Sequence, residues 1–201
     1  MSHETTEVVD EQELEDHGEH EEVEQLDPEL AARRAAALQL VRRWGDPVLK
    51  SRAVPVERFD DELRAEVARM AAIMHDAIGV GLAAPQLGTA HRLFVYRVGR
   101  DAPLGVVVNP EIEWRSKDQE TYEEGCLSIP GVVVDVERPI YVRVRAQDEW
   151  GEPLVIEASG LEARVIQHES DHLDGVLMLD RTTREQRKDA IRALREAAEQ
   201  R

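Results

Sequence analysis

The 201 residues have room for one ordinary domain with a real core. The formal net charge of −17 is uneven: of 42 acidic residues, 12 fall within 1–27, which hold no Lys or Arg, while the other 30 are set against all 25 basic ones. Such a distribution argues against DNA as a partner, and no apolar run is long enough to span a bilayer.

Residues 1–27 are Glu-rich with scattered Val and Leu, so the reading expects an acidic, disordered tail ahead of a single domain over 28–201. His3, His17 and His20 read as solvated tail residues. The segment has neither an apolar h-region nor Arg-rich character, so neither a secretory signal nor a transit peptide is expected. A single cysteine fits a reducing cytoplasm. Asp27 as N-cap and Pro28 at the first helical position predict a helix running to Trp44, broken by Gly45-Asp46-Pro47. Asp60 or Asp61 is expected to cap the next helix, to about Ile78, with Leu63, Val67, Met70, Met74 and Ile78 as its apolar stripe. His75 beside that stripe reads as structural, and Gly79 as the helix stop.

From Arg92 the periodicity changes. Leu93–Tyr96, Leu104–Val108, Val132–Val136, Ile140–Val144 and Leu154–Ile156 read as short strands separated by breaks rich in Pro, Gly and Asp. A helix follows, with Ser159-Gly160 as its cap, Leu161, Val165, His168 and His172 on one stripe, and Gly175 as its stop. A short strand is expected near Leu177-Met178-Leu179, and a terminal helix from about Thr183. The expected class is α+β: antiparallel sheets surrounding a central helix, closed by a C-terminal helix.

That central helix holds His168-Glu169-Ser170-Asp171-His172. Two histidines four residues apart lie about one turn apart on one helix face and can reach the same metal ion. Glu169, next to the first, is placed to handle the proton of a metal-activated water. Two histidines leave a catalytic metal one protein ligand short. Cys126, after a glycine that frees the backbone, is the one soft ligand in the chain, although a free cysteine is often a small buried hydrophobe.

Three stretches together are more specific: Gly79-Val80-Gly81-Leu82-Ala83-Ala84-Pro85-Gln86, then Glu124-Gly125-Cys126-Leu127-Ser128, then Gln167-His168-Glu169-Ser170-Asp171-His172-Leu173-Asp174-Gly175 continuing through Arg181. In content and order they resemble the signature motifs of the peptide deformylases, and the likeness runs from about Trp44 to Arg181. The resemblance implies metal-dependent hydrolysis of the N-terminal formyl group of formyl-methionyl nascent polypeptides, with release of formate. It implies one divalent ion on Cys126, His168 and His172, with Fe²⁺ as the native ion; the same donors suit Zn²⁺. It further implies Glu169 as general base and acid, and the Gln86 side-chain amide and the Leu127 N–H as oxyanion donors. Gly79 and Gly81 would let a peptide backbone approach and pair by strand addition. Val80, Leu161, Val165 and the His168 ring are candidate walls of a methionine pocket, with Tyr122 at its mouth. Glu124 and Arg138 read as a pair bracing the cysteine loop, or as an exposed pair of little weight. Arg164, one turn before His168, is a charge close to that pocket.

Two other functions compete. A zinc endopeptidase would use a third His or Glu and leaves Cys126 and Gln86 without a role. A non-catalytic, ribosome-associated module would use Arg181–Arg201, with 7 basic and 4 acidic residues, either near the exit tunnel or simply as a solvated helix. The intact Glu169 speaks against a purely structural metal.

Overall fold

The computed structural model describes residues 27–99 and 101–199. The expectations for residues 1–26, including His3, His17 and His20, lie outside the described residues.

Helix α1 spans Pro28–Leu40. The Asp27 carboxylate accepts from the N–H groups of Glu29 and Leu30, at 2.9 and 3.3 Å, which is the predicted cap. The helix stops short of Trp44 because Val41 turns to extended backbone and enters the core. Beyond it the chain bonds to the motifs instead of to itself: Arg42 N–H donates to the Gln86 carbonyl at 2.7 Å, and Trp44 N–H to the Ser128 carbonyl at 2.9 Å.

Helix α2, Asp61–Asp76, is capped by Asp60, whose side chain accepts from Leu63 N–H at 3.2 Å. Leu63, Val67, Met70 and Met74 are buried along its stripe. Two expectations fail at its end. Ile78 is half exposed, and it, not Gly79, takes the left-handed conformation (φ +58°) that ends the helix. A β-branched residue there is strained. Gly79 serves close packing, since a Cβ there would stand 2.9 Å from Leu127 Cδ1. His75 is exposed beside Asp76 rather than built into the core.

Seven strands follow: β1 Gly81–Ala83, β2 Leu93–Tyr96, β3 Gly105–Arg115, β4 Gln119–Cys126, β5 Ile129–Pro139, β6 Tyr141–Gln147 and β7 Pro153–Ser159. Five form an antiparallel sheet in the order β1-β2-β3-β6-β7, and β4 pairs with β5 in a separate two-stranded sheet. Neither β1 nor β4 was predicted. β1 is only three residues long, and β4 reads Gln-Glu-Thr-Tyr-Glu-Glu-Gly-Cys, with no apolar alternation; its side chains are exposed apart from Glu124 and Cys126. Pairing with β5, in register from Gln119↔Pro139 to Gly125↔Val133, holds it in place.

Helix α3, Gly160–Leu173, is the centre of the molecule and packs against strands of both sheets. One apolar cluster joins α2 to β1, β2 and β3; a second packs Ala163, Val165, Ile166 and Leu173 of α3 against Phe94, Val107, Val142 and Val144. The Ser159 side chain makes no capping bond, contrary to expectation. Gly175 (φ +72°) ends the segment, and a Cβ there would meet the Lys50 carbonyl at 2.7 Å. Leu177–Leu179 is not a strand. Met178–Asp180 forms a 3₁₀ turn, closed when the Asp180 carboxylate accepts from Leu177 N–H at 2.8 Å. Helix α4, Arg184–Glu199, covers β5 with Ala190, Ile191 and Leu194. Antiparallel sheets around a central helix, closed by a terminal helix, is the predicted α+β arrangement. No helix among the described residues is long and apolar enough to cross a membrane.

Candidate active site

The ends of β4 and the middle of α3 meet at the site. The ligand atoms of Cys126, His168 and His172 all lie within 4.8 Å of one another, with Cys126 Sγ 3.3 Å from His172 Nε2. The two imidazoles stand edge to face, with ring centroids 5.0 Å apart. His168 Nδ1 meets Glu124 Oε2 at 3.0 Å, which fixes the ring and turns its other nitrogen toward the cluster. Glu169 stands outside this trio.

Glu169 is 4% exposed, and its Oε2 has no hydrogen-bond partner among the described residues. Burial pushes its carboxyl up to about 7, against the opposing influence of His168. A buried carboxyl poised near neutrality and left unsatisfied is unfavourable for folding and suited to proton transfer. Gly81 makes room for it: a Cβ there would lie 2.3 Å from Glu169 Oε1.

Gln86 sits in the 3₁₀ turn Ala84–Leu87 and is 1% exposed. Its Oε1 accepts from Ala83 N–H at 2.8 Å, and its amide nitrogen donates to Ser128 Oγ at 3.2 Å and toward Cys126 Sγ at 3.6 Å. These contacts fix which end of the amide faces the cluster.

Glu124 and Arg138 form a buried pair, not an exposed one. Arg138 Nε and Nη2 donate to the two carboxylate oxygens at 2.5 and 2.9 Å, and both side chains are 5% exposed. Burial alone would raise the Glu124 pKa, but the hydrogen bonds from Arg138 and His168 prevail and hold it well below the usual carboxylate range. Arg138 also reaches Asp171 at 2.9 Å, which Arg181 contacts in turn at 2.5 Å. Sequence reading missed this extension, because Asp171 and Arg181 give no signal apart from the fold.

A cleft of about 600 Å³ opens onto the cluster. Gly79, Val80, Gly81, Leu161 and Val165 line it, together with Leu127, Gln86, His168 and Glu169. Tyr122 is not among the lining residues; its ring is exposed, with the Arg164 guanidinium 5.4 Å from its centre. Arg34 and Leu38 of α1 also line the cleft, as do Pro130 to Val133 of β5. Nothing in the local pattern of α1 pointed to this. A larger hollow of about 710 Å³ over Trp114 and Tyr141 contains none of the clustered residues.

The family model described as polypeptide deformylase matches residues 38–188. The chain belongs to the polypeptide deformylase family. The peptide deformylase of Acidothermus cellulolyticus is 48% identical over 161 residues, which are 80% of this chain and 88% of that protein. That of Clostridium botulinum is 49% identical over 148 residues, 74% of this chain and 99% of that one. Among solved structures, a peptide deformylase from Synechococcus elongatus in complex with actinonin superposes with a TM-score of 0.74 at 46% identity, covering 76% of this chain and 85% of that one. One from Legionella pneumophila gives 0.75 at 40% identity, covering 79% and 94%.

Peptide deformylases are metal-dependent hydrolases that remove N-formyl groups, and membership accounts for all three stretches singled out in the sequence. The donors fit such an ion. A thiol and two imidazoles converge from two elements, one imidazole is already oriented by a carboxylate, and the adjacent carboxylate oxygen of Glu169 lacks a partner.

Proposed function

We propose that the cleft binds the formyl-methionyl end of nascent polypeptides and hydrolyses the formyl amide, with each side chain in a defined role. The observation that carries this reading is the unsatisfied, buried Glu169 carboxylate beside the convergent Cys126, His168 and His172.

Cys126, His168 and His172 would hold one divalent ion, Fe²⁺ by the family resemblance, although the donor set suits Zn²⁺ as well. Such an ion supplies a Lewis acid and lowers the pKa of a bound water toward about 7. Glu169 accepts the proton of the attacking water and passes it to the departing amine, its carboxylate oxygen being buried beside the cluster with no other partner among the described residues. The Gln86 amide, locked by Ala83 and Ser128, and the Leu127 N–H donate to the oxyanion.

Strand β1, Gly81–Ala83, pairs with β2 on one side only and ends its sheet, so its outer edge beside Gly81 is open to an extended peptide. Val80 and Leu161 are 49% and 57% exposed, and with Val165 they give the cleft apolar walls for a methionine side chain. Glu124 and Arg138 hold the His168 ring. A reducing cytoplasm suits the thiol ligand, and the basic residues of α4 offer a surface for the ribosome.

An endopeptidase would need a third His or Glu in the cluster, where Cys126 stands. Formate release from formyl-Met peptides, measured beside cleavage of internal peptide bonds and of acetyl-Met peptides, tests the reading. One formate per new free amine, with acetyl-Met and internal bonds untouched, is expected. Internal cleavage at a comparable rate would overturn it.

A further inference from the structure

Arg164 is a charge on the buried side of α3, one turn before His168 and 9% exposed. Its guanidinium is well partnered. Nη1 donates to Glu124 Oε1 and to the Val136 carbonyl, both at 2.8 Å, and Nη2 donates to the Glu120 carbonyl at 2.7 Å. The Tyr122 ring lies beside it. Three of these four partners, Glu120, Tyr122 and Glu124, belong to β4, and Val136 belongs to β5.

This placement bears on the metal site because the ligand set is divided. Cys126 is the last residue of β4, two positions after Glu124, while His168 and His172 are on α3. β4 pairs only with β5, and of that two-stranded sheet it is mainly β5 that packs along α3. The Cys-to-His separation therefore depends on side chains that tie β4 to α3. Arg164 bonds to β4 at two points, Glu120 and Glu124. His168 bonds to it at Glu124.

Glu124 is the junction. Its Oε2 accepts from His168 and Arg138, and its Oε1 from Arg138 and Arg164. Four bonds occupy the accepting capacity of a carboxylate and fix its orientation. Arg138 reaches Glu124 from β5 and ties it to α3 only further along, through Asp171, one residue before His172. Arg164 reaches it from the helix that carries the histidines.

We propose that Arg164 is a positioning residue of the metal site: by clamping β4 to α3 through Glu124 and the Glu120 carbonyl, it sets the placement of Cys126 relative to His168 and His172. The inference rests on the reading of those three residues as the metal ligands. It separates a positioning role from that of an ordinary buried ion pair, whose loss lowers stability without altering a distant binding constant.

The test compares metal-free parent, Arg164→Met and Arg164→Lys in titrations with Co²⁺ and Zn²⁺ against a competing chelator. The cobalt–thiolate absorption band reports the Cys126 contact. Loss of a group that orients ligands typically weakens affinity on the order of 10- to 100-fold, and that loss is expected for Arg164→Met, with a displaced or weakened band. Arg164→Lys should recover part of the affinity, because an ammonium can reach one of the partners but not the forked set. In a cycle with Glu124→Gln the double variant should lose less than the sum of the single losses. Parental affinity and band in Arg164→Met would overturn the proposal, even with a lowered Tm, and so would full additivity in the cycle. Should the Met variant fail to fold, parental affinity and band in Arg164→Lys overturn it equally. A parent that binds neither ion would overturn the metal-site reading itself, and the proposal with it.

Discussion

Gly81→Ala places a methyl group where the structure has no room for one. An ideal Cβ at 81 lies 2.3 Å from Glu169 Oε1, 2.8 Å from Cδ and 2.9 Å from Cγ, whereas ordinary contact begins at 3.4 Å. The backbone at 81 is not left-handed, so the effect belongs to the methyl group and not to lost conformational freedom. The carboxylate must retreat by about 1 Å, and a misplacement of that size at a reacting group costs on the order of 10²-fold in rate. The carboxyl group is buried, at 4% exposure, and overpacking at a buried site typically destabilises by about 1–3 kcal/mol. The three atoms nearest the new methyl all belong to Glu169, which is not a ligand, so metal content should match the parent. The assay is steady-state formate release from a formyl-Met peptide, with metal analysis and a melting curve on the same preparation. The expected result is kcat down roughly 100-fold, metal near stoichiometric and a lowered Tm. Parental kcat would refute the role given to Glu169. A rise in KM alone would mean that the methyl blocks the substrate backbone and leaves the carboxylate in place.

Glu169→Gln should keep its metal and lose about 10²–10⁴ in kcat, because the amide cannot carry the proton; loss of metal in this variant would make Glu169 a ligand or support instead. Cys126→Ser should come off the column depleted of metal, since a hydroxyl is a poor ligand for a borderline divalent ion; near-stoichiometric metal with normal turnover would reduce Cys126 to a packed thiol. Asp180 has its pKa lowered: burial opposes the shift, but the Lys50 ammonium and the Leu177 N–H outweigh it. A depressed carboxylate contributes stability above its unfolded pKa of about 3.9 and loses it as pH falls through the folded value. Asp180→Asn should therefore melt below the parent at pH 7, and the two curves should converge as pH drops under about 4; a difference independent of pH would exclude the ionic contribution. Removing residues 1–26, which spares the Asp27 cap, should leave Tm and turnover nearly unchanged, whereas removing 1–40 should lower both, because Ala37 lies in the core and Arg34 and Leu38 line the cleft.

Local chemistry made much of this protein readable. Asp27-Pro28 and Asp60 act as the caps they resemble, since a side-chain oxygen two or three residues ahead of unpaired N–H groups satisfies them whatever the rest of the chain does. The stripe of α2 is buried as its spacing demands. His168 and His172 converge because four residues make about one helical turn. β1 and β4 were not legible, because three residues carry no period and β4 carries no alternation; each exists through its partner strand. Leu177–Leu179 misled for the opposite reason. An apolar triplet fits either state, and the Asp180 carboxylate on Leu177 N–H selects the 3₁₀ turn.

The sequence by itself therefore determined the α+β class, the helix that carries the histidines and the residue types of the site, because these depend on period, capping and motif spacing. Only the tertiary structure decided that the Glu124–Arg138 pair is buried and not solvated, that Tyr122 stands outside the cleft while Arg34 and Leu38 enter it, and that Arg164, in the cleft wall, bonds its guanidinium to β4. Each of these depends on groups far apart in the chain, and the strength of an ion pair depends on how much water the fold excludes around it. No local pattern carries that information.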